Sequence, residues 1–364
     1  MFWIWLGFIA FVLFLLALDL GVFHREAHVV SMREALGWST VWIALGLSFS
    51  VFVYYGYENQ WMGLGTAKDI VDQSPEHPEG RINDGRSAVL KYLTGYVVEK
   101  SLSVDNVFVI AMIFGFLAVP AIYQHRVLFW GILGALLLRG AMIAVGARLI
   151  ADYSWILYVF GAFLILTAVK MLVLTESTDP NDTAIVRLTR RFFPVTDRFH
   201  GEHFLVRAGS RASFEAETAG AQPVDDPAVA RARPGALMLT PLALALVMIE
   251  STDVVFAVDS IPAIFAITGD PFLVFTSNVF AILGLRSLYF ALAGAIRQFR
   301  YLKVSLAFVL ALVGVKMLTH AWLKSLLGPN FNLYLLLLIL GILATGVLAS
   351  WRHRAPADAP AERA

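Results

Sequence analysis

The sequence predicts an all-α, polytopic membrane protein with about nine transmembrane helices, and three observations lead there. Of 364 residues, 59% are hydrophobic and only 15% charged, whereas soluble domains carry roughly a quarter charged residues. Mean hydropathy is +0.72. The apolar residues also fall in long runs, each near the roughly 20 residues that a helix needs to cross a hydrocarbon core of about 30 Å. A net charge of +1 gives no field that would draw nucleic acid. The absence of cysteine removes disulfides, thiolate metal sites, iron–sulfur clusters and cysteine nucleophiles together. Soluble enzyme, DNA-binding protein and disordered scaffold are therefore poor readings.

The expected spans lie near 2–23, 38–57, 88–118, 127–149, 154–174, 236–268, 272–296, 302–322 and 332–350. The first has no basic flank and no small-residue cleavage site, and it ends at Asp19, an interfacial anchor; it is not a cleavable signal. The third and sixth are long for a single crossing, and both carry acids midway. Basic residues orient the chain. The tail holds Arg352, Arg354 and Arg363, and segment 175–235 holds Arg187, Arg190, Arg191, Arg198, Arg207, Arg211, Arg231 and Arg233. Loop 58–87 instead sets six acids against Lys68, Arg81 and Arg86. The C-terminus and segment 175–235 are thus expected in the cytoplasm and the N-terminus outside. Within that segment, 183–218 reads as an interfacial helix followed by a short hairpin, and 219–235 as a flexible linker; 351–364 reads as a disordered tail.

Residues 88–174 and 236–322 read as two copies of one three-span unit. Glu99-Lys-Ser-Leu-Ser-Val-Asp105-Asn106 aligns with Asp253-Val-Val-Phe-Ala-Val-Asp259-Ser260. A Gly-Ile-Leu-Gly-Ala-Leu-Leu-Leu-Arg139 segment echoes Ala-Ile-Leu-Gly-Leu-Arg286, and Ala-Val-Lys170-Met-Leu echoes Gly-Val-Lys316-Met-Leu. The spacing from Arg139 to Lys170 is 31, and from Arg286 to Lys316 it is 30. An odd number of spans per copy forces the copies into opposite orientations, the pattern of secondary transporters that bind substrate near the midplane. Residues 1–57 supply two further helices and 332–350 the last.

An acid at a helix centre costs about 2.5 to 3.5 kcal/mol on insertion scales. The chain accepts that cost at Glu99, Asp105, Glu250, Asp253 and Asp259. Five carboxylates cannot all ionise together in low dielectric without a cation or protons. With Asn106, Ser260 and Thr252 nearby in sequence they form a hard oxygen donor set suited to Mn²⁺, Mg²⁺ or Ca²⁺. Six residues put Asp253 and Asp259 on different faces of an unbroken helix, so their convergence needs an interruption, for which Pro262 is the candidate. The bland alternative is a structural network in which Lys100, Arg139, Lys170, Arg286 and Lys316 neutralise the acids. On that view Arg139 and Arg286 partner groups within their own repeats, while Lys170 and Lys316 reach toward span ends. His200 and His203 with Glu202 have metal-ligand spacing but no third ligand, and His24 and His320 read as interfacial. Trp38, Trp61, Trp155, Tyr54 and Tyr57 fit aromatic belts. No phosphate loop, G-x-S-x-G or H-E-x-x-H occurs, so an enzyme is not expected.

The stretches LALDLGVFHREAHVVSMREALGWSTVWIALG, YVVEKSLSVDNVFV, YQHRVLFWGILGALLLRG, ESTDVVFAVDSIPAIFAITGDPF and FTSNVFAILGLRSLYF resemble the TerC family of bacterial integral membrane proteins, closest to its Alx-type members. The resemblance runs from about residue 10 to 320. It implies an inner-membrane protein of the wider LysE-like transporter group, with manganese export as the main role and links to tellurite resistance and alkaline pH. The family's acidic motif falls on Glu99 and Asp105, then on Glu250, Asp253 and Asp259. Residues 209–235 look expanded beside the short hairpin usual there.

The expectation is therefore export of Mn²⁺ through a carboxylate site between inverted repeats, Asn106, Ser260, Arg139, Arg286 and Lys100 supporting the acids. The partners expected are the bilayer and the cation as substrate, with no resident cofactor and no nucleic acid. Proton uptake from outside would favour release, because a protonated carboxylate holds a cation poorly. The rival readings are transport of Ca²⁺ or another solute, and a non-transporting membrane partner whose 175–235 segment recruits proteins.

Overall fold

In this computed structural model, described residues are 1–18, 31–73, 79–153, 155–173, 189, 193–208, 228–229, 232–233, 235–292, 301–327 and 331–352. Asp19, His24, most of the expected linker at 219–235 and the tail beyond Arg352 lie outside them, as does most of the expected interfacial helix.

The helices are α1 (Phe2–Leu18), α2 (Met32–Glu58), α3 (Gly85–Phe116), α4 (Ala121–Asp152), α5 (Ile156–Val173), α6 (Pro241–Phe265), α7 (Pro271–Leu283), α8 (Leu285–Leu292), α9 (Leu302–Leu327) and α10 (Phe331–Arg352). Local chemistry sets their starts. Ser31, Asp84, Thr240 and Asp270 each accept a backbone N–H from the first turn they cap, and Pro241 and Pro271 take the first-turn position where no donor is needed. Among the described residues, six helical segments are long and apolar enough to cross a membrane by length and composition: α2, α4, α5, α6, the α7–α8 pair and α10. α3 has the length but carries Lys91, Glu99, Lys100 and Asp105.

Apolar stripes then choose neighbours. α1 buries Ile4, Phe8, Val12 and Leu16, one face at four-residue spacing, while Leu6, Phe11, Leu13 and Phe14 remain exposed on its other sides. Phe8 packs edge-on against Phe272, Phe275 and Phe280 of α7. α3 packs on α7, α6 packs on α4, and α5 runs along α9. The last pair approaches closely because Gly161 and Gly314 face each other: a Cβ on either would stand about 3 Å from the other's carbonyl oxygen. The first helix of each expected three-span set thus lies on the middle helix of the other.

Four expectations change. Residues 237–239 of the sixth span are a strand, β4 (Leu237–Leu239), paired antiparallel with β3 (Leu205–Arg207), because Pro241 fixes the helix start below it. The seventh span breaks at Gly284, and the Lys100 ammonium donates to the Ala281 carbonyl there (3.0 Å). α6 is not interrupted: Pro262 sits inside it, and the final turn is held by the buried Ile261, Ala263, Ile264 and Phe265. Finally, described parts of loop 58–87 hold local structure. Its strands β1 (Lys68–Asp69) and β2 (Arg81–Ile82) pair antiparallel.

Two contacts fix the helix directions. Asp69 beside the start of α3 accepts from Thr268 beyond the end of α6, whereas Glu202, ahead of α6, meets Arg126 near the start of α4. α3 and α6 are therefore antiparallel, with an Asp69 end and a His200 end to the bundle.

Candidate functional site

The centre of the bundle holds an ion-paired knot drawn from three helices. Arg139 of α4, 2% exposed, points between α3 and α6. Its Nε and Nη2 donate to Asp253 Oδ2 and Oδ1 (3.0 and 2.8 Å), a bidentate fork. Its Nη1 donates to Glu99 Oε1 and to Ser260 Oγ, the latter at 3.3 Å. Asn106 Nδ2 lies 3.5 Å from Asp253 Oδ1. Glu99 is wholly buried, and charges so enclosed persist only with partners. Sequence reasoning expected Arg139 to serve its own repeat; instead it joins an acid from each.

The knot is under-satisfied. Glu99 Oε2, Asn106 Oδ1 and Glu250 Oε2 are buried and accept no hydrogen bond from any described residue. Glu250 sits one turn from Asp253 on α6, its carboxylate pressed against Gly134 of α4, where a Cβ would overlap it. A cavity of about 20 Å³ adjoins Asn106, Thr252 and Asp253, its other walls being apolar groups including Ile110, Leu128 and Ile249. That is room for about one water molecule or a bare ion.

The remaining predicted acids lie elsewhere. Because α3 and α6 are antiparallel, the six-residue spacing carries Asp105 toward the His200 end and Asp259 toward the Asp69 end, each about 9 Å from the central pair at 1.5 Å per residue. Asp259 accepts from Thr167 Oγ1 of α5 (3.2 Å) and feels the charge of Lys170. Asp105 is half-buried. Among the described residues no three histidine, aspartate or glutamate side chains come together as one ion would need. The expected five-acid cluster is thus spread along the bundle as a ladder with Arg139 at its middle.

The supporting basic residues also separate. Arg286 donates to His125 Nε2 (2.9 Å), far from the knot in chain position, and Lys316 donates to the Ala266 carbonyl. His200 is buried at the other end, while Glu202 pairs with Arg126 (2.5 Å), whose guanidinium also lies over Phe204.

A second polar cluster, at the Asp69 end, escaped the sequence reading. Lys91 of α3, 1% exposed, pairs with Asp69 (2.9 Å) and Asp72 (2.8 Å) and donates to Asn83 Oδ1 (2.5 Å). Asp69 also accepts from Thr268 Oγ1 (2.5 Å) and the Gly269 amide (2.8 Å), tying loop 58–84 to the α6–α7 turn. Burial pushes the Asp69 carboxyl up, but Lys91, Thr268 and Gly269 together hold it below the usual carboxylate range. Asp270, which caps α7 and accepts from Tyr57 Oη (2.8 Å), is pushed above that range by burial and by Asp69. The available signal was a lysine six residues inside a helix start, preceded by a loop rich in acids.

Fold and site together define a polytopic α-helical membrane protein with an ion-paired, oxygen-rich centre. The chain belongs to the TerC family of integral membrane proteins, which it matches over residues 84–357. An uncharacterized membrane protein of Myxococcus xanthus, STKORF319, is 44% identical over 361 residues, covering 99% of this chain and 96% of that one. The Escherichia coli (strain K12) protein named Alx, membrane-bound redox modulator, is 41% identical over 343 residues, 93% of each chain. An uncharacterized membrane protein of Rickettsia bellii is 34% identical over 342 residues, 94% of this chain and 96% of that one. No solved structure matches.

Proposed function

We propose that the protein carries a divalent cation across the cytoplasmic membrane through the Glu99–Asp253 centre, and that it exports Mn²⁺. The observation that supports this most is the set of orphan oxygens. Glu99 Oε2, Asn106 Oδ1 and Glu250 Oε2 lack donors among the described residues, and Asn106 and Asp253 line a cavity of ion size. A buried acceptor left unpaired costs about 1–3 kcal/mol, and an oxygen-ligated cation would satisfy several at once. Such a set favours Mn²⁺, Mg²⁺ or Ca²⁺ over soft metals.

Two further features favour transport over a static bundle. The reciprocal packing of α3 on α7 and α6 on α4 fits inverted repeats enclosing a midplane site. Asp105 and Asp259 give each side of the centre its own acid. On the orientation that the arginine count favours, the His200 end faces the cytoplasm, and the small cavity lies on that side of Asp253, where Asn106, Ile110 and Ile113 line it. Protons reaching Asp259 from the other face would loosen the departing ion there. The redox name of the Escherichia coli relative needs no thiol chemistry in this chain, which has no cysteine; a changed manganese pool would alter cellular redox state indirectly.

The test is cellular manganese by elemental analysis in a manganese-sensitive strain expressing the wild type, Asp105→Asn, Asp253→Asn or Asp259→Asn at matched membrane levels. Export predicts lowered manganese with the wild type only. Unchanged manganese at normal expression refutes Mn²⁺ export, and lowered calcium in the same samples would instead favour Ca²⁺.

A further inference from the structure

We propose, on the reading that the central carboxylates take a divalent cation, that Arg139 is a tethered competitor for that cation. Its guanidinium occupies Glu99 and Asp253 while no ion is bound, and the arriving ion displaces it. The geometry argues this in three steps.

First, the guanidinium binds like a ligand. It engages acids of two different helices, α3 and α6, from a third, α4, through Nε, Nη1 and Nη2. A residue whose task was to brace its own helix pair would not need to reach both.

Second, it is a poor lock. Its N–H groups are almost used up on Asp253, Glu99 and Ser260, yet one oxygen each of Glu99, Asn106 and Glu250 still lacks a donor among the described residues. One positive charge faces two carboxylates, with Glu250 a turn away. A divalent ion brings twice the charge and accepts about six oxygen ligands, so it outbids the guanidinium on both counts. Nothing comparable is seen at Lys91, where Asp69 and Asp72 share a cation and backbone and hydroxyl donors complete the Asp69 shell.

Third, the arrangement solves a problem of the transport cycle. An empty carrier must pass its acids through the low-dielectric core to reset, and two bare carboxylates there would be prohibitive. Arg139 supplies the counter-charge for that passage and withdraws when the ion supplies it.

The consequence is a separation of two activities that ordinary loss of a binding residue would not produce. Arg139→Gln removes the competitor, so Mn²⁺ binding to the purified, detergent-solubilised protein tightens. The gain is at least about tenfold if the closed pair holds nine in ten apo molecules. In proteoliposomes the variant continues one-for-one exchange of radiolabelled Mn²⁺ but loses net efflux, since the empty form cannot reset. Arg139→Lys keeps the charge but not the fork; it retains net efflux and binds Mn²⁺ more tightly than the wild type. If Arg139→Gln does not accumulate, Arg139→Lys decides alone. A folded Arg139→Lys that binds Mn²⁺ no more tightly than the wild type overturns the inference, and so does loss of exchange together with efflux in a folded Arg139→Gln. A wild type that neither binds nor exchanges Mn²⁺ or Ca²⁺ overturns the cation reading itself, and this inference with it; that failure appears before any variant is made.

Discussion

Replacing Lys91 by methionine keeps the length and bulk of the side chain and deletes its charge. The ammonium lies 2.9 Å from Asp69 and 2.8 Å from Asp72, with 1% of the residue exposed. Breaking such a buried pair costs about 3–5 kcal/mol. Protonation caps the cost at each acid: neutralising a carboxyl of ordinary pKa costs about 4 kcal/mol at pH 7 and about 1.5 kcal/mol at pH 5. In the wild type the Asp69 carboxyl is held low, so its contribution is present above the ordinary carboxylate pKa and is lost as the pH falls through the folded value. In Lys91→Met the sign reverses, because Asp69 gains by taking a proton. Above the ordinary carboxylate pKa the wild-type contribution stays constant, so the deficit shrinks with falling pH because the variant gains. Thermal unfolding in detergent, followed by tryptophan fluorescence from about pH 8 to about pH 5, reads this directly. A deficit that is large at neutral pH and shrinks toward pH 5 is the expected result. A deficit that is absent, or equal at both ends, would refute the claim that Lys91 is the counter-charge of this cluster.

Two other substitutions read neighbouring contacts. Tyr57→Phe removes the hydroxyl that donates to the buried Asp270 carboxylate at 2.8 Å and should cost about 1.5–3 kcal/mol in the same assay; an unchanged midpoint would show that the bond contributes nothing. Gly134→Ala places a methyl group where the Glu250 carboxylate packs, an overpacking worth about 1–3 kcal/mol. Adding Glu250→Ala should recover most of that loss, and strict additivity of the two changes would mean they do not touch.

Much of this molecule was legible because lipid makes strict demands on sequence. Helices α2 to α6 and α10 stand within a few residues of the expected spans, since only long apolar runs satisfy both backbone and bilayer. Glu99, Asp253, Asn106 and Ser260 do meet, as their matching motifs suggested. What could not be read was where each charge points. Asp253 and Asp259 stay on different faces because α6 absorbs Pro262 near its end instead of unwinding, and packing, not local propensity, decides that. Arg286 sits in a motif like that of Arg139 but follows the break at Gly284, which hands it to His125. Asp69 and Asp72 looked like solvated loop acids because their partner lies in the next helix and no local pattern announces it.

The partners of the basic residues bear on the two broad readings of the acids. A structural network would spend each buried cation on a carboxylate. Instead Lys100 donates to the Ala281 carbonyl at the α7–α8 break, Lys316 to the Ala266 carbonyl at the end of α6, and Arg286 to a histidine ring. Arg139 binds acids of two helices, Glu99 and Asp253. Lys100 is engaged at the α7–α8 break, and the base seen between Glu99 and Asp253 is Arg139. A centre with orphan oxygens at Glu99, Asn106 and Glu250 among the described residues is completed by protons or by a cation, and the proposed transport rests on the second.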